Sequence, residues 1–376
     1  MRQPPFTIGV EEEYLLVDLE TRDLVTDPPP TMLAECQALL EGQVSPEFLR
    51  SQIEVGTRVC TTLAEVRAEL SRLRSVVAEV AGRHDMAPIA ASTHPFADWT
   101  HQIHTDRERY NLLARDLQVV ARRLAICGMH VHVGIDDDEL RIDLLSQVAY
   151  FLPHLLALSA SSPFWQGINT GLKSYRLSVF DSLPRTGLPE HFSSWGEYQR
   201  HVAVLVDAGL IEDASKLWWD VRPSVRYPTL EMRIVDIPTR LDDVLTITAL
   251  YVCLLRMLYR MRTENKRWRA YADMLIEENR WRAARYGTSE GLMDYGRAKL
   301  VPYAELLEEW LELIAPDAAA MGCEAEVGAA RDILARGTSA DRQLAAYETA
   351  RARGEDEAAA LQAVVDLLIA ETVAGL

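Results

Sequence analysis

The chain has 376 residues, of which 48% are hydrophobic and 25% are charged, and it carries a formal net charge of −17. This composition is typical of a water-soluble globular protein, and so acidic a chain lacks the basic surface that gives a general nucleic-acid binder its affinity. Without an apolar run near the ~20 residues that span a bilayer or an export signal, we predict a cytoplasmic protein with neither a membrane nor a nucleic-acid partner.

Length and cysteine content set two further limits. A chain of this length can form two ordinary domains or one large domain with a substantial core. An odd number of scattered cysteines is more typical of free thiols in a reducing compartment than of a disulfide framework. The sequence has five, without a C-x-x-C pair, namely Cys36, Cys60, Cys127, Cys253 and Cys323.

The first predicted element is a strand, TIGVEEEYLLVD, which contains three consecutive glutamates. Because strand side chains alternate between two faces, Gly9, Glu11 and Glu13 share one face. Glu12 falls on the other face, beside the apolar Val10, where a lone carboxylate is costly to bury. We therefore expect Glu12 to reach a helix arginine or the edge of the sheet.

A second strand and two helices follow. In SQIEVGT, Gln52, Glu54 and Gly56 share a face of the strand. The next helix, predicted over 61–84, begins with a capping-box pattern and has apolar residues at helical spacing. The segment 106–127 is predicted to start as a helix.

The strand ICGMHVHVGI contains two histidines at alternating positions. His130 and His132 project from the same face, together with two glycines that leave room for a ligand near the backbone. A helix is predicted over 139–159. No chemical role is expected for the isolated histidines His84, His154 and His201.

Two cationic segments lie between the later elements. The first is SPFWQGINTGLKSYR and the second is WWDVRPSVRYPTLEMR. Neither contains a P-loop or a G-x-G-x-x-G fingerprint, so a nucleotide would be held by metal ions and separate cationic side chains. The alternative is that these cations only balance the acidic strands. The side chains concerned are Lys173, Tyr175, Arg176, Arg222 and Arg233.

The last predicted strand, TLEMRIVD, places Glu231 and Arg233 on one face and apolar residues on the other. Beyond it the pattern is almost wholly helical, with a helix over 241–262 and amphipathic segments after Pro302. We predict a single domain over 1–376, with a sheet-bearing core at about 6–240 and a mainly helical remainder at about 241–376.

Together, the four strands predict an α+β protein whose sheet has helices on one face and an open polar face on the other. Each strand alone could have an ordinary solvated face. The four polar faces, however, concentrate Glu and His, and several carboxylates with one or two imidazoles suit Mg²⁺ or Mn²⁺. The pattern therefore favours a metal site on the open face.

The ordered motifs resemble the family 2 glutamate–cysteine ligases, also described as carboxylate–amine ligases. The motifs are GVEEEYLLVD, IEVGT, STHPFADW, GMHVHVG, SPFWQG with TGLKSYR, and LEMRIVD. The resemblance implies a glutamine synthetase-like catalytic core, in which a curved antiparallel sheet binds ATP and divalent metals on its concave face and helices cover the convex face.

The resemblance also implies roles for individual residues. The metal-ligand candidates are Glu11, Glu13, Glu54, His130, His132 and Glu231. Arg233 is expected to contact the ATP phosphates and, with Glu54, to be essential for catalysis. Lys173 and Arg176 are further phosphate-binding candidates, and the alternative is that they hold the carboxylate of the acceptor. Arg222, Tyr175 and His132 are candidates for substrate contact.

The implied activity is ATP-dependent amide-bond formation through an acyl phosphate, with glutamate as the carboxylate donor and an unidentified amine. Small-molecule substrates are the expected partners, and a homodimer is possible. The alternative class is a metal-dependent amidohydrolase, which also uses Glu and His-x-His ligands but gives no reason for the cationic residues. A catalytically inactive, regulatory relative is a third possibility.

Overall fold

Residues 2–376, which the computed structural model describes, form thirteen strands and fifteen α-helices. The strands are β1 Ile8–Asp18, β2 Val44–Pro46, β3 Gln52–Gly56, β4 Met86–Ile89, β5 Met129–Gly134, β6 Phe164–Trp165, β7 Ile168–Asn169, β8 Thr186–Gly187, β9 Trp218–Trp219, β10 Val221–Pro223, β11 Thr229–Met232, β12 Leu292–Asp294 and β13 Lys299–Val301.

The helices are α1 Pro30–Leu40, α2 Leu63–Gly82, α3 Glu108–Leu117, α4 Val119–Arg122, α5 Asp138–Val148, α6 Leu152–Ser159, α7 Arg176–Phe180, α8 Trp195–Asp207, α9 Leu241–Thr263, α10 Asp273–Tyr286, α11 Tyr303–Met321, α12 Glu324–Gly328, α13 Ala330–Arg336, α14 Ser339–Ala352 and α15 Glu357–Thr372.

The main sheet has seven strands in the order β10-β11-β5-β1-β3-β2, and β4 pairs with β1 off this path. All of these pairings are antiparallel. The first half of β1 lies between β5 and β3, and its second half pairs with β4. The strand that carries the three glutamates is therefore central in the sheet.

Helices cover one face of this sheet. The 23-residue α9 is buried over most of its length and packs against α2, α5, α6, α11 and β5. Helix α2 also packs against β1, and α5 against β10 and β11. An antiparallel sheet with a helical layer and a helical C-terminal part confirms the predicted α+β class.

The helix predictions are confirmed in part. Helix α2 begins after Thr62, whose side chain forms the predicted capping box with Glu65. The region 106–127 begins as a helix, as predicted, with α3. The short α4 follows after Gln118, which adopts a positive φ of 50°, and Ile126 forms a β-bridge with Thr93. The C-terminal part also includes a hairpin, β12–β13, that the helical pattern did not reveal.

The run predicted as one helix over 139–159 divides into α5 and α6 at a 3₁₀ turn, Ala149–Phe151, with Pro153 in the first turn of α6. Proline is tolerated there because it lacks only an N–H that has no helical partner. Contrary to the expectation that no apolar run is this long, the combined span Asp138–Ser159 is long and apolar enough to cross a membrane, but 89% of its most apolar window is buried in the protein. All five cysteines are free and buried.

Candidate active site

Strand pairing brings the predicted ligand residues side by side on one face of the sheet. This face is less open than the sequence predicted, because His130, His132 and Glu231 are buried. Glu13 lies opposite Glu54, and Glu11 opposite His130. Glu231 lies opposite His132. Directly opposed residues in an antiparallel pair project to the same face, so the alternation read from each strand produces one continuous surface of carboxylates and imidazoles.

Three of these side chains form the first group, here called the His132 cluster. One ligand atom from each of Glu11, His132 and Glu231 lies within 4.8 Å of the others. His132 Nε2 is 3.5 Å from Glu11 Oε1, and its Nδ1 contacts the Thr229 hydroxyl at 2.9 Å. The Nε2 atom is buried without a hydrogen-bond partner, which leaves it free to bind a metal ion.

A second group, here called the Glu54 cluster, contains Glu13, Glu47 and Glu54, again with ligand atoms within 4.8 Å. Glu47 was not a candidate from the sequence, because it follows the short strand β2 rather than occupying an alternating strand position. The only indication in the sequence is that Glu47 is acidic and lies between β2 and β3, the strand that carries Glu54. His130 lies between the clusters: its Nδ1 is 3.1 Å from Glu11 Oε2 and its Nε2 is 3.8 Å from Glu13 Oε1.

The two clusters differ in electrostatics. Burial raises the pKa of Glu54 well above its usual value, and the nearby Glu47 raises it further. Burial also raises the pKa of Glu13, to about 7, with a further contribution from Glu47. Both Glu54 and Glu13 lie beside other carboxylates, and a neighbouring negative charge disfavours the ionised form of each. The Glu54 cluster is thus a strong candidate for a divalent ion.

The His132 cluster is balanced by cations instead. Burial alone would raise the pKa of Glu231, but the charges of Arg233 and Arg222 lower it strongly. Contacts with both histidines likewise lower the pKa of Glu11, against the effect of burial. Burial, together with the charge of Arg233, lowers the pKa of His130 to about 4, so this ring is neutral at pH 7 and able to bind a metal.

The two arginines predicted for this face have different hydrogen-bonding status. Arg222 donates to both oxygens of Glu231, at 3.0 and 3.1 Å, and to the carbonyls of Ser215 and Leu217. Arg233 also donates to Glu231, but its buried Nε has no partner. Arg233 therefore retains a free donor for an anionic ligand, whereas Arg222 is held by protein acceptors.

The TGLKSYR segment makes other contacts. The Lys173 ammonium pairs with Asp341 in α14 at 2.6 Å, and Tyr175 packs against Trp165 with ring centroids 5.5 Å apart. Arg176 is buried and donates to the carbonyl of Arg233 at 3.3 Å, so it supports the backbone of Arg233. The phosphate and substrate roles expected for Lys173, Tyr175 and Arg176 stay predictions.

Glu12 has the partner expected for it. Its carboxylate accepts hydrogen bonds from Arg74 of α2 at 2.5 and 2.9 Å, and also from Tyr14. Both Glu12 and Arg74 are almost completely buried. The prediction of a helix arginine is confirmed, and the middle glutamate belongs to the core rather than to the open face.

Comparison with known proteins agrees with this geometry. The family model described as glutamate–cysteine ligase family 2 matches residues 7–365. The chain belongs to this family. It is therefore an ATP-dependent ligase of the glutamate–cysteine ligase type, and family membership gives no support to the amidohydrolase alternative.

Relatives in glutamate–cysteine ligase family 2 match over nearly their full length. A protein from Rhodospirillum rubrum is 63% identical over 100% of this chain and 98% of its own length. One from Jannaschia is 57% identical over 97% of this chain and 96% of its own. Both are named glutamate–cysteine ligase 2, by names that mark the assignment as provisional.

Two solved structures share the fold at low sequence identity. The glutamate–cysteine ligase from Francisella tularensis, solved in complex with AMP, matches 100% of this chain and 90% of its own with a TM-score of 0.69 and 12% identity. The bifunctional glutathione synthetase from Pasteurella multocida matches 98% of this chain and 52% of its own, with a TM-score of 0.70 and 16% identity. These likenesses confirm the ligase fold predicted from the sequence.

Proposed function

We propose that the chain forms an amide bond between the side-chain carboxylate of glutamate and an amine, through an acyl phosphate made from ATP. The observation that carries the proposal is the placement of two carboxylate-rich clusters and Arg233 on one face of the sheet. Phosphoryl transfer depends mainly on cations held around the phosphates. A face that gathers metal-ligand carboxylates beside an arginine with a free donor suits that requirement.

The proposed reaction has two steps, formation of the acyl phosphate and formation of the amide. An oxygen of the substrate carboxylate attacks the γ-phosphorus of ATP, the bond from that phosphorus to the bridging oxygen breaks, and ADP leaves. The amine nitrogen then attacks the acyl carbon, and inorganic phosphate leaves with one of the original carboxylate oxygens. The proton that the amine loses passes to the leaving phosphate or to an acidic residue of the site. In the first step the unpaired Nε of Arg233 stabilises the charge on the transferring group.

The side chains present fit Mg²⁺ or Mn²⁺. Glu13, Glu47 and Glu54 offer only oxygen donors, which hard divalent ions prefer, and the buried, unpaired Nε2 of His132 adds an imidazole to the other cluster. Bound metal would neutralise phosphate charge. Arg222 holds Glu231 in place through two hydrogen bonds, so we assign it to positioning as well as to substrate contact.

The decisive assay combines ATP, glutamate and a panel of amines, and measures phosphate release and the amide product by mass spectrometry. Glutamate labelled with oxygen-18 in its side-chain carboxylate should transfer one labelled oxygen to the released phosphate. Glu54→Gln is expected to abolish turnover without unfolding the protein, whereas Glu348→Gln, on an exposed part of α14, should leave turnover unchanged.

Three outcomes would contradict the proposal. Amide hydrolysis with metal and without ATP would favour the amidohydrolase. Unlabelled phosphate in an otherwise active assay would exclude the acyl phosphate. Failure of Mg-ATP to raise the melting temperature at concentrations far above typical dissociation constants would favour an inactive relative.

A further inference from the structure

The backbone at Arg233 is irregular, because β11 ends at Met232. The N–H groups of Arg233 and Ile234 both donate to the carbonyl of Asp220, at 2.8 and 3.0 Å. Two consecutive residues thus lie opposite one, which is the pattern of a β-bulge. Because a bulge beside an active site redirects a side chain, the direction of the Arg233 side chain depends on the backbone of Asp220.

A second residue holds the carbonyl groups of this bulge. Arg176, the first residue of α7, donates to the carbonyls of Arg233 and Ile234, both at 3.3 Å. The N–H groups of the bulge are therefore held by Asp220, between β9 and β10, and its carbonyls by α7. Arg233 keeps its direction only if these two partners keep a fixed separation.

One side chain joins the two partners. Arg280 of α10 donates to both oxygens of Asp220, at 2.7 and 3.1 Å, and to both oxygens of Asp181, at 2.6 and 2.8 Å. Asp181 directly follows α7, and its N–H donates to the carbonyl of Leu177. A planar guanidinium that makes two bidentate pairs fixes both carboxylates in one geometry. Arg280 thus ties Asp220 to α7.

The pair of Arg280 and Asp220 lies away from water. Arg280 is 8% exposed and Asp220 is 2% exposed. Among residues 2–376, Arg280 is the only residue that donates to the Asp220 carboxylate. Removal of one partner of such a pair leaves the other charge buried and uncompensated, so Asp220 would move or take up a proton. A change at Arg280 therefore reaches the carbonyl that holds the bulge.

Backbone hydrogen bonds fix α10 beside this network. The N–H groups of Lys173 and Ser174, which precede α7, donate to the carbonyl of Ala284 in α10 at 2.8 and 3.0 Å. Helix α10 also packs against α6. Arg280 therefore projects from a helix that is held against the segment leading into α7.

We propose that Arg280 is a positioning residue for Arg233, so that α10 sets the direction of the guanidinium that acts in phosphoryl transfer. The inference rests on the proposed function for this chemistry. Arg280 itself contacts no substrate, because its Nε and both of its Nη atoms donate to Asp181 or Asp220. Its effect passes through the backbone of Asp220 to Arg233, whose buried Nε has no protein partner.

Steady-state phosphate release by Arg280→Met tests the proposal. A misdirected Arg233 should lower kcat per folded molecule by roughly tenfold to a hundredfold, while KM for ATP changes by less than about threefold. In the Arg233→Lys background, Arg280→Met should lower kcat by less than about threefold further, because the group that it positions is already gone.

Asp220→Asn supplies the same measurement if Arg280→Met does not fold. The substitution is nearly isosteric and keeps one oxygen that can accept from Arg280, so kcat should fall in the same direction but by less. The matched control is Arg260→Met, because Arg260 of α9 pairs with the buried Asp317 of α11 at 2.8 Å. This control should lose stability and keep its kcat per folded molecule.

Nuclear magnetic resonance separates this proposal from the proposed function. The Nε–H signal of Arg233, identified by its absence in Arg233→Lys, should shift in Arg280→Met and keep its position in Arg260→Met. A shift without any detectable ligation would contradict the proposed function and support the positioning of Arg233 by Arg280.

Three results would overturn the positioning role. The first is an unchanged Arg233 signal in Arg280→Met. The second is a kcat in Arg280→Met and Asp220→Asn that equals the kcat of Arg260→Met. The third is a double variant of Arg280→Met and Arg233→Lys in which the two effects on kcat multiply, since independent effects would show that Arg280 does not act through Arg233.

Discussion

Glu11 and Glu13 project from the same face of one strand, yet their surroundings shift their pKa values in opposite directions. Contacts with His130 and His132 outweigh burial and lower the pKa of Glu11. Glu13 has no such contact of comparable strength, and burial with the nearby Glu47 raises its pKa to about 7. Glu11 is therefore an ionised partner of the two imidazoles, whereas Glu13 lacks a partner that would offset the cost of burying its charge.

The raised pKa of Glu13 predicts that the metal-free protein loses unfolding free energy as the pH rises. Its usual pKa is 4.5, so the folded state favours the neutral form, and the stability from this group is complete below pH 4.5 and lost as pH rises through about 7. In EDTA, Glu13→Gln should therefore gain stability relative to the unmodified chain as pH rises, by up to roughly 3 kcal/mol at pH 8.

Urea unfolding of both proteins at several pH values from about 5 to about 8 measures this difference. Gln keeps an oxygen that can accept the 2.7 Å hydrogen bond from the Gly128 N–H, so the substitution isolates the charge. Added Mg²⁺ should stabilise the unmodified chain more at the higher pH and should have less effect on Glu13→Gln. A stability difference independent of pH would contradict the assignment.

Arg233→Lys should lose turnover by about a hundredfold or more, which is the usual effect of removing a donor to the transferring group. Lysine keeps the charge but not the planar fork that contacts Glu231 and a phosphate together. Steady-state kinetics of phosphate release provide the measurement. Turnover near that of the unmodified chain would remove Arg233 from the site.

Alternation along each strand correctly predicted which of its side chains share a face. Glu11, Glu13 and Glu54 face one way because the period of two is a local property of the backbone. Glu47 and the partner of Lys173 could not be found in this way, since one lies on a turn and the other is 168 residues distant. Partners across the fold depend on tertiary packing that one sequence does not display.

At the scale of elements, one arginine joins four parts of the fold. Arg74 of α2 binds Glu12 of β1 and donates to the carbonyl of Thr239, before α9, at 2.7 Å and to that of Thr372, at the end of α15, at 3.1 Å. Removing one partner of such a buried pair leaves an uncompensated charge. The core side of β1 thus depends on a single polar network.

Glu12→Gln should cost about 3–5 kcal/mol of unfolding free energy, while turnover per folded molecule at 25 °C should change little. A double-mutant cycle with Arg74→Met measures the interaction energy between Glu12 and Arg74. The double variant should be more stable than the sum of the two single changes indicates. Chemical denaturation and kinetics on the same samples supply both readouts. Unchanged stability with lost turnover would place Glu12 in the active site instead.

The element predictions failed at one break in helical periodicity, between α5 and α6. Apolar spacing continues through Ala149–Phe151, so the pattern alone indicates one unbroken helix over 139–159. The backbone turns at this point because Pro153 needs a helix start. Periodicity records which side chains are buried and does not record where the axis changes direction.

At the scale of the whole molecule, the C-terminal helices and the sheet share one core. Most of α9 is buried against α2, α5 and α6, and the hydroxyl of Thr372 accepts the Ala90 N–H at 2.9 Å. These contacts support the predicted single domain. A boundary drawn at residue 240 therefore marks a change of secondary structure.

A fragment of residues 1–240 should fail to unfold cooperatively, because the apolar residues that pack beneath α9 would face water. The full chain should show one transition by both circular dichroism and tryptophan fluorescence. Calorimetry and denaturant titration of the two proteins make the comparison. A cooperative transition in the fragment would show that the sheet-bearing part is a domain of its own.

The central position of β1 affects how the chain folds during its synthesis. Glu11 is made 119 residues before its neighbour His130, and Glu231 follows a further hundred or so later. Strand β3 can pair with β1 soon after both have been made, because Glu54 lies opposite Glu13, but the other edge of β1 stays open until β5 has been made. An open strand edge is prone to associate with other chains, and the like charges of the glutamates in β1 help to prevent this.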